Sequence, residues 1–341
     1  MHNAAFLTNI KEFSLGKYEN KNDDYTVKIK VDSCAICGSD IRIFNHGNER
    51  INYPAIIGHE VSGTVVETRD NDFKIGDKLS LGADIPCGEC NECINLKPNL
   101  CKKNSAIGYQ LKGGFAEYMD LDKSVFKNGP VVKIQDELSL ELACLGEPLA
   151  CSINGIEKVH MSEKGRVLIF GAGPIGIMLG YLAKSKYNCE KLDFVEVNEY
   201  RQKSLKDLNI ADNIYTREEF QNNMSRLEKS YNYVFTACSV FDTHKNGIKM
   251  LENGGSINFF GGLPKPSPSL NVITNELHYR ELTLTGSHGS TPSQHRSAIK
   301  FIKENKSFFN SLITHRFDLK DISKAFDLAS SGKGIKILIK P

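Results

Sequence analysis

A short apolar run, RVLIF at 166–170, leads into GAGPIG at 171–176, and the last residues of that motif open a stretch with helical apolar spacing that continues to residue 186. A second run, LDFVEV at 192–197, follows. Strand, turn, helix and strand in this order leave the backbone few choices. Gly171, Gly173 and Gly176 have the G-x-G-x-x-G spacing. The first glycine permits a tight turn, the second lets the backbone approach a pyrophosphate, and the third lets helix and strand pack closely. Pro174 and Ile175 lie at the start of the helix, whose free N–H groups suit phosphates. Glu196 comes 20 residues after Gly176, where a carboxylate can accept from both hydroxyls of an adenosine ribose and repel a 2′-phosphate. The expected cofactor is therefore NAD rather than NADP, although Arg201 is a cation that suits a phosphate. A glycine turn with no ligand is the plain alternative; strand, helix and Glu196 together argue against it.

The pattern extends beyond this unit. A polar helix (YRQKSLKDL, 200–208) and further strands (YVFTA, 233–237; SINFFG, 256–261; LTLTG, 282–286) predict an α/β region with a doubly wound parallel sheet. Residues 25–121 read differently. TVKIKV at 26–31, EVSGTVVE at 60–67, IGDKLSLG at 75–82 and GGFAEYMDL at 113–121 are strand candidates punctuated by glycine and proline, with no convincing long amphipathic helix. LELACLGEPLACSINGI near 140 reads as a helix interrupted or capped around Gly146 and Pro148. GIKILIKP at 334–341 reads as a final strand that can return to the first region. A chain of 341 residues suits two domains.

A formal net charge of +2 and the absence of any basic run give no support for nucleic-acid binding. No apolar stretch approaches the roughly 18 residues of a membrane span. The start, MHNAAFLTNIKEF, lacks the pattern of a signal peptide, so a cytoplasmic protein without membrane partners is expected. In that setting ten cysteines point to metal or catalysis rather than to a disulfide framework. Cys87, Cys90, Cys93 and Cys101 give C-x2-C-x2-C-x7-C. Four thiolates from one loop can close a tetrahedral zinc site, which leaves no room for substrate and is structural. An iron–sulfur run would bring its fourth cysteine after three residues, followed by proline; here the gap is seven and Lys102 follows. A zinc-ribbon interaction module would need aromatic surroundings, and 84–107 contains no aromatic residue.

Three separated pieces remain: CAICGSD at 34–40, GHE at 58–60 and GEPLAC at 146–151. Each is weak alone, since a lone cysteine or histidine is usually structural. Together they offer a thiolate, an imidazole and two carboxylates, and three protein ligands plus an open position make a catalytic zinc site.

With these pieces the chain resembles the zinc-containing medium-chain alcohol dehydrogenases, close to their sorbitol (polyol) dehydrogenase branch. The matching stretches are CGSD at 37–40, GHEVSGTVVE at 58–67, the Cys87–Cys101 lobe, GGFAEYM at 113–119, GEPLAC at 146–151, GAGPIG at 171–176 and ELTLTGS at 281–287, in the family's order over nearly the whole chain. The resemblance implies a GroES-like β-rich catalytic domain (residues 1–147 and 288–341), a Rossmann NAD-binding domain (148–287), an active site in the cleft, and a homotetramer or dimer. It implies two zinc ions, one structural and one catalytic. Cys37 and His59 would ligate the catalytic ion. Glu60 and Glu147 would supply the remaining carboxylate ligation, or one of them would hold a bound water. Ser39 would hydrogen-bond the substrate hydroxyl and begin a proton relay, with Asp40 behind the site. The reaction implied is hydride transfer between NAD and the secondary alcohol or ketone of a polyol, cyclitol or sugar derivative. Zinc can lower the pKa of a bound oxygen from about 15.7 toward 7, which is how an alcohol would ionise at neutral pH.

Two positions depart from the family's pattern. Arg42 stands where many relatives carry a relay histidine; arginine stays protonated and does not easily relay a proton. It is either an anion contact or a solvated surface residue. The Arg–Tyr pair that often follows TGS in sorbitol-type enzymes is replaced by SHGSTPSQHR, in which His288 is either a substrate contact or a loop residue. A polyol phosphate, with Arg42 as its partner, and threonine are the alternative substrates. A zinc-free enoyl or quinone reductase is disfavoured by the retention of Cys37, His59 and Glu147.

Overall fold

Val27, Ile29 and Val31 point inward and Lys28 and Lys30 outward along the strand Val27–Ala35, the alternation that a sheet with one buried face demands. In the computed structural model, which describes residues 1–19, 25–135 and 137–341, this strand is the hub of a seven-stranded sheet. The order is Ile313–Asp318, Lys336–Lys340, Val27–Ala35, Glu60–Thr68, Lys78–Leu81 and Val131–Ile134, with Tyr118–Leu121 also paired to Val27–Ala35. All pairs are antiparallel except Ile313–Asp318 with Lys336–Lys340. The last strand thus does return to the first part of the chain. The core joins both segments: Ile29, Val61, Leu79 and Phe115 pack in one cluster with Ile322, Phe326 and Ile339.

Contacts divide the chain into two units, Met1–Ala150 with Gly289–Pro341, and Cys151–His288. The second unit holds a six-stranded parallel sheet ordered Asn213–Tyr215, Lys191–Val195, Arg166–Phe170, Tyr231–Thr236, Leu251–Phe259 and Thr283–Gly286. Numbered by their succession within this sheet, the strands run 3-2-1-4-5-6, the doubly wound order. The expected α/β class and both sheet types are therefore present. Helix Pro174–Ser185 buries Ile177, Met178, Leu179, Leu182 and Ala183. LDFVEV ends as a strand at Val195, so Glu196 stands just beyond it.

Other boundaries shift as well. Only Tyr118–Leu121 of GGFAEYMDL is strand, and the interruption near residue 146 separates helix Leu140–Ala143 from helix Gly146–Lys158. The β-rich region contains a nine-residue helix, Gly38–His46, which buries Asp40, Ile43 and Phe44. Among the described residues, no helix is long and apolar enough to cross a membrane.

Candidate active site

Cys37 caps the helix Gly38–His46, and its backbone N–H donates to Asp40 Oδ2 at 2.9 Å. That bond holds Asp40 fully buried, with Oδ1 3.3 Å from His59 Nδ1. The other ring nitrogen, Nε2, stands 3.3 Å from Ser39 Oγ. Asp40 is thus the carboxylate neighbour of Nδ1 and Ser39 the hydroxyl neighbour of Nε2, so a proton held on Nδ1 would leave Nε2 as the lone-pair donor on the Ser39 side, the arrangement in which a carboxylate supports a metal-binding histidine. Burial pushes the imidazole pKa down, but the charge and contact of Asp40, with Cys37 beside it, outweigh burial and hold it well above the ordinary value. Gly58, just before His59, has φ +95°. A Cβ there would sit 2.7 Å from Cys34 Sγ, so only glycine lets the chain bring His59 in at this angle.

Glu60 opens the strand Glu60–Thr68 and is fully buried. Both of its carboxylate oxygens accept from the ammonium of Lys336, itself buried in the strand Lys336–Lys340. Glu147 sits in the first turn of Gly146–Lys158. Burial pushes its carboxyl up to about 7, against the nearby His59. The preceding helix is pinned to the sheet, because Ser62 Oγ donates to Leu140 O (2.6 Å) and Ser80 Oγ to Ala143 O (2.7 Å). His295 closes on Ser80 at 3.0 Å. These bonds fix where Gly146 and Glu147 begin. Tyr109 borders the same site, its ring centroid 5.9 Å from that of His59. Arg42 is exposed on the helix Gly38–His46, and His288 is exposed at the last residue of the second unit, where its carbonyl accepts from Asn154 Nδ2.

The four lobe cysteines gather their sulfurs within 4.8 Å of one another. Separations are 3.5 Å for Cys87–Cys101 and Cys90–Cys93, 3.7 Å for Cys90–Cys101 and 4.0 Å for Cys87–Cys93. Zn–S bonds of about 2.3 Å place tetrahedral sulfurs about 3.8 Å apart, so the quartet fits zinc with little movement. Backbone N–H groups of Glu89 and Cys90 contribute to lowering Cys87 to about 6, which favours thiolate. Among the described residues this is the one group of three or more such side chains drawn that closely together. Cys37, His59, Glu60 and Glu147 are looser neighbours.

In the second unit Gly171 has φ +96°, and a Cβ at Gly176 would lie 1.9 Å from Gly171 O, which excludes any side chain there. Gly173 caps the helix Pro174–Ser185 with no side chain over its N–H groups. Glu196 Oε2 accepts from Ala172 N (2.6 Å), and Oε1 from Val197 N and Asn198 N (both 2.8 Å). A cavity of about 450 Å³ opens here, lined by Gly171, Glu196, Arg201, Arg217, Thr243 and Asn246. Arg201 Nε is buried with no hydrogen-bond partner, and so are Thr236 Oγ1 and Asn258 Nδ2 near the carboxyl ends of their strands. Glycine cradle, uncapped helix and orphaned polar atoms fit a dinucleotide at the strand switch point.

The alcohol dehydrogenase GroES-like domain family matches residues 23–135, and the zinc-binding dehydrogenase family matches residues 174–304. The chain belongs to the zinc-containing medium-chain alcohol dehydrogenases, oxidoreductases acting on CH–OH groups. Within them it falls beside the sorbitol dehydrogenase-like members. It is 28% identical to the sorbitol dehydrogenase of Halalkalibacterium halodurans, over 93% of this chain and 92% of that one. It is also 28% identical to the L-threonine 3-dehydrogenase of Bacillus subtilis, over 94% and 92%. An alcohol dehydrogenase structure from Thermotoga maritima superposes with a TM-score of 0.89 at 24% identity, covering 99% of each chain.

Lys336, Tyr109 and the Ser62–Ser80–His295 anchors were not singled out by sequence reasoning. No local pattern marks them; each acquires its place only when distant segments meet.

Proposed function

We propose that this chain is a zinc-dependent, NAD-linked dehydrogenase that oxidises the secondary alcohol of a polyol, cyclitol or sugar derivative. The observation that carries the reading is the Asp40–His59–Ser39 array beside Cys37 and Glu147. Cys37, His59 and Glu147 would hold a catalytic zinc, with Glu60 kept behind them by Lys336. Zinc supplies Lewis acidity there and NAD the hydride-accepting ring. Asp40 keeps the imidazole in the metal-binding tautomer. Ser39 orients the substrate hydroxyl and takes its proton. With Arg42 in place of a relay histidine, the proton leaves Ser39 through water. Gly171, Gly173 and Gly176, with Pro174 and Ile175, receive the pyrophosphate, and Glu196 with Arg201 receives the adenosine ribose. Three backbone donors hold the Glu196 carboxylate in place, and a carboxylate beside the adenosine ribose would repel a 2′-phosphate, which supports NAD over NADP. The Cys87, Cys90, Cys93 and Cys101 site is structural.

The test is NADH formation by zinc-replete protein with NAD⁺ and a panel of polyols, cyclitols, their phosphates and threonine. Turnover of a polyol or cyclitol is expected. Turnover of threonine alone would reassign the substrate, and turnover of none, with two zinc ions and NAD bound, would contradict the reading. Oligomeric assembly and cytoplasmic location are the companions of this reading in the family.

A further inference from the structure

One charged residue beside this site has no role in the reaction just described. Arg50 lies on the loop after the helix Gly38–His46. Its backbone N–H donates to Asn48 Oδ1 at 2.8 Å, and its neighbour Ile51 is buried, so the loop is anchored. The guanidinium carbon stands 4.6 Å from the centroid of the Tyr109 ring. Nη2 donates to Gln110 Oε1 at 3.1 Å, and the same oxygen accepts from Ala106 N at 3.1 Å, which fixes the amide. Tyr109 in turn is the aromatic neighbour of His59, whose Nε2 stands beside the Ser39 hydroxyl. The order outward from the reacting centre is thus His59, Tyr109, Arg50.

A guanidinium has five N–H donors in one plane. Among the described residues, that of Arg50 has a single hydrogen-bond acceptor, Gln110, and no carboxylate pairs with it. The residue is exposed, so its other donors reach solvent. A cation stacked on a ring, tethered by a fixed amide and lacking a counter-ion is preorganised for a bidentate anion. Arg42 differs: among the described residues no ring or amide holds it.

We propose that Arg50 determines substrate specificity by binding an acidic group, a carboxylate or a phosphate ester, carried by the alcohol at the end away from its reacting carbinol. This rests on the dehydrogenase reading of the neighbouring site. The oxidisable hydroxyl lies at Ser39 and the chain of the substrate crosses the Tyr109 ring. A neutral polyol leaves the guanidinium in water and gains nothing from it.

The test compares the zinc-replete enzyme with its Arg50→Ala and Arg50→Lys variants on a matched series: a hexitol, the corresponding hexonate and a hexitol phosphate. The wild type is expected to favour one acidic member, which also tells carboxylate from phosphate. Arg50→Ala should cut kcat/KM for that member about tenfold to a hundredfold, the worth of a hydrogen bond to a charged group, chiefly through KM. The hexitol should be little changed, and Arg50→Lys should restore only part, since an ammonium lacks the planar fork. Equal losses on neutral and acidic members, or no loss on either acid, would overturn the proposal. A second readout is calorimetric binding of inorganic phosphate and of acetate to the enzyme–NAD⁺ complex. Binding that weakens in Arg50→Ala supports the anion site; binding that ignores the substitution overturns it. If no alcohol is oxidised yet anion binding depends on Arg50, the dehydrogenase reading fails and the anion site stands. If alcohols turn over without discrimination, the anion site alone fails.

Discussion

Asp40 and His59 show how one carboxylate sets the chemistry of a buried imidazole. Asp40 accepts from the Cys37 N–H with one oxygen and sets the other 3.3 Å from His59 Nδ1. The proton it attracts to the imidazole is one that a metal must displace, and Glu147, pushed up to about 7, is likewise protonated in acid. Protons and zinc compete for these groups, so zinc affinity falls as pH falls. Dialysis across a pH series with metal analysis should show the catalytic zinc retained at neutral pH and lost first as the solution is made acidic; retention down to strongly acidic pH would argue that neither group binds it. Lys336 makes a second residue-level prediction. Lys336→Met leaves Glu60 charged and unpaired in the core and should cost about 3–5 kcal/mol in urea unfolding, most of it recovered when Glu60→Gln is added. Cys37, His59, Glu60 and Glu147 can be singled out in the sequence because short motifs carry them. Lys336 cannot, because its partner lies 276 positions away. Nor can Tyr109 and Arg50, a ring and a cation whose pairing exists only after the loops fold.

At the scale of elements, legibility follows periodicity. Runs such as RVLIF became strands almost to the residue, since a parallel strand buried on both faces must be apolar throughout. The helix Gly38–His46 escaped notice because it is short and offers only Ile43 and Phe44 as large buried anchors. Helices Arg217–Leu227 and Phe241–Met250 are weakly marked because their exposed faces are polar, although the first does open on a Thr216–Glu219 capping box that the sequence spells as T-x-x-E. The cysteine lobe is the opposite case. Its ribbon Asp84–Ile85 with Ser105–Ala106 and its helices Asn91–Ile94 and Pro98–Leu100 are too short to persist alone, so a metal held by the four cysteines would supply their cohesion. Cys93→Ser should therefore lower zinc content by one equivalent per chain and make the lobe the first site of proteolysis. An unchanged zinc content would show that the quartet is not a metal site.

Over the whole molecule, the sheet order of the second unit and the return of Lys336–Lys340 beside Val27–Ala35 go with Cys37, Glu60, Glu147, Glu196 and Lys336 standing at strand ends or helix starts, where backbone geometry is fixed. The two architectures were legible from the change in texture near residue 140. The boundary between units was less so, because it falls at Ala150, inside the helix Gly146–Lys158, where periodicity does not break. The reaction proposed for this chain is hydride transfer from an alcohol carbon to NAD, dependent on Cys37, His59 and Glu147. It is tested most directly by supplying the reactive alcohol deuterated at its carbinol carbon and following the label, in the wild type and in Glu147→Gln. Deuterium is expected on the nicotinamide of the wild-type product, and in Glu147→Gln almost no transfer together with one zinc per chain instead of two. Reduced nicotinamide without the label, or full transfer by a variant that has lost its second zinc, would contradict it.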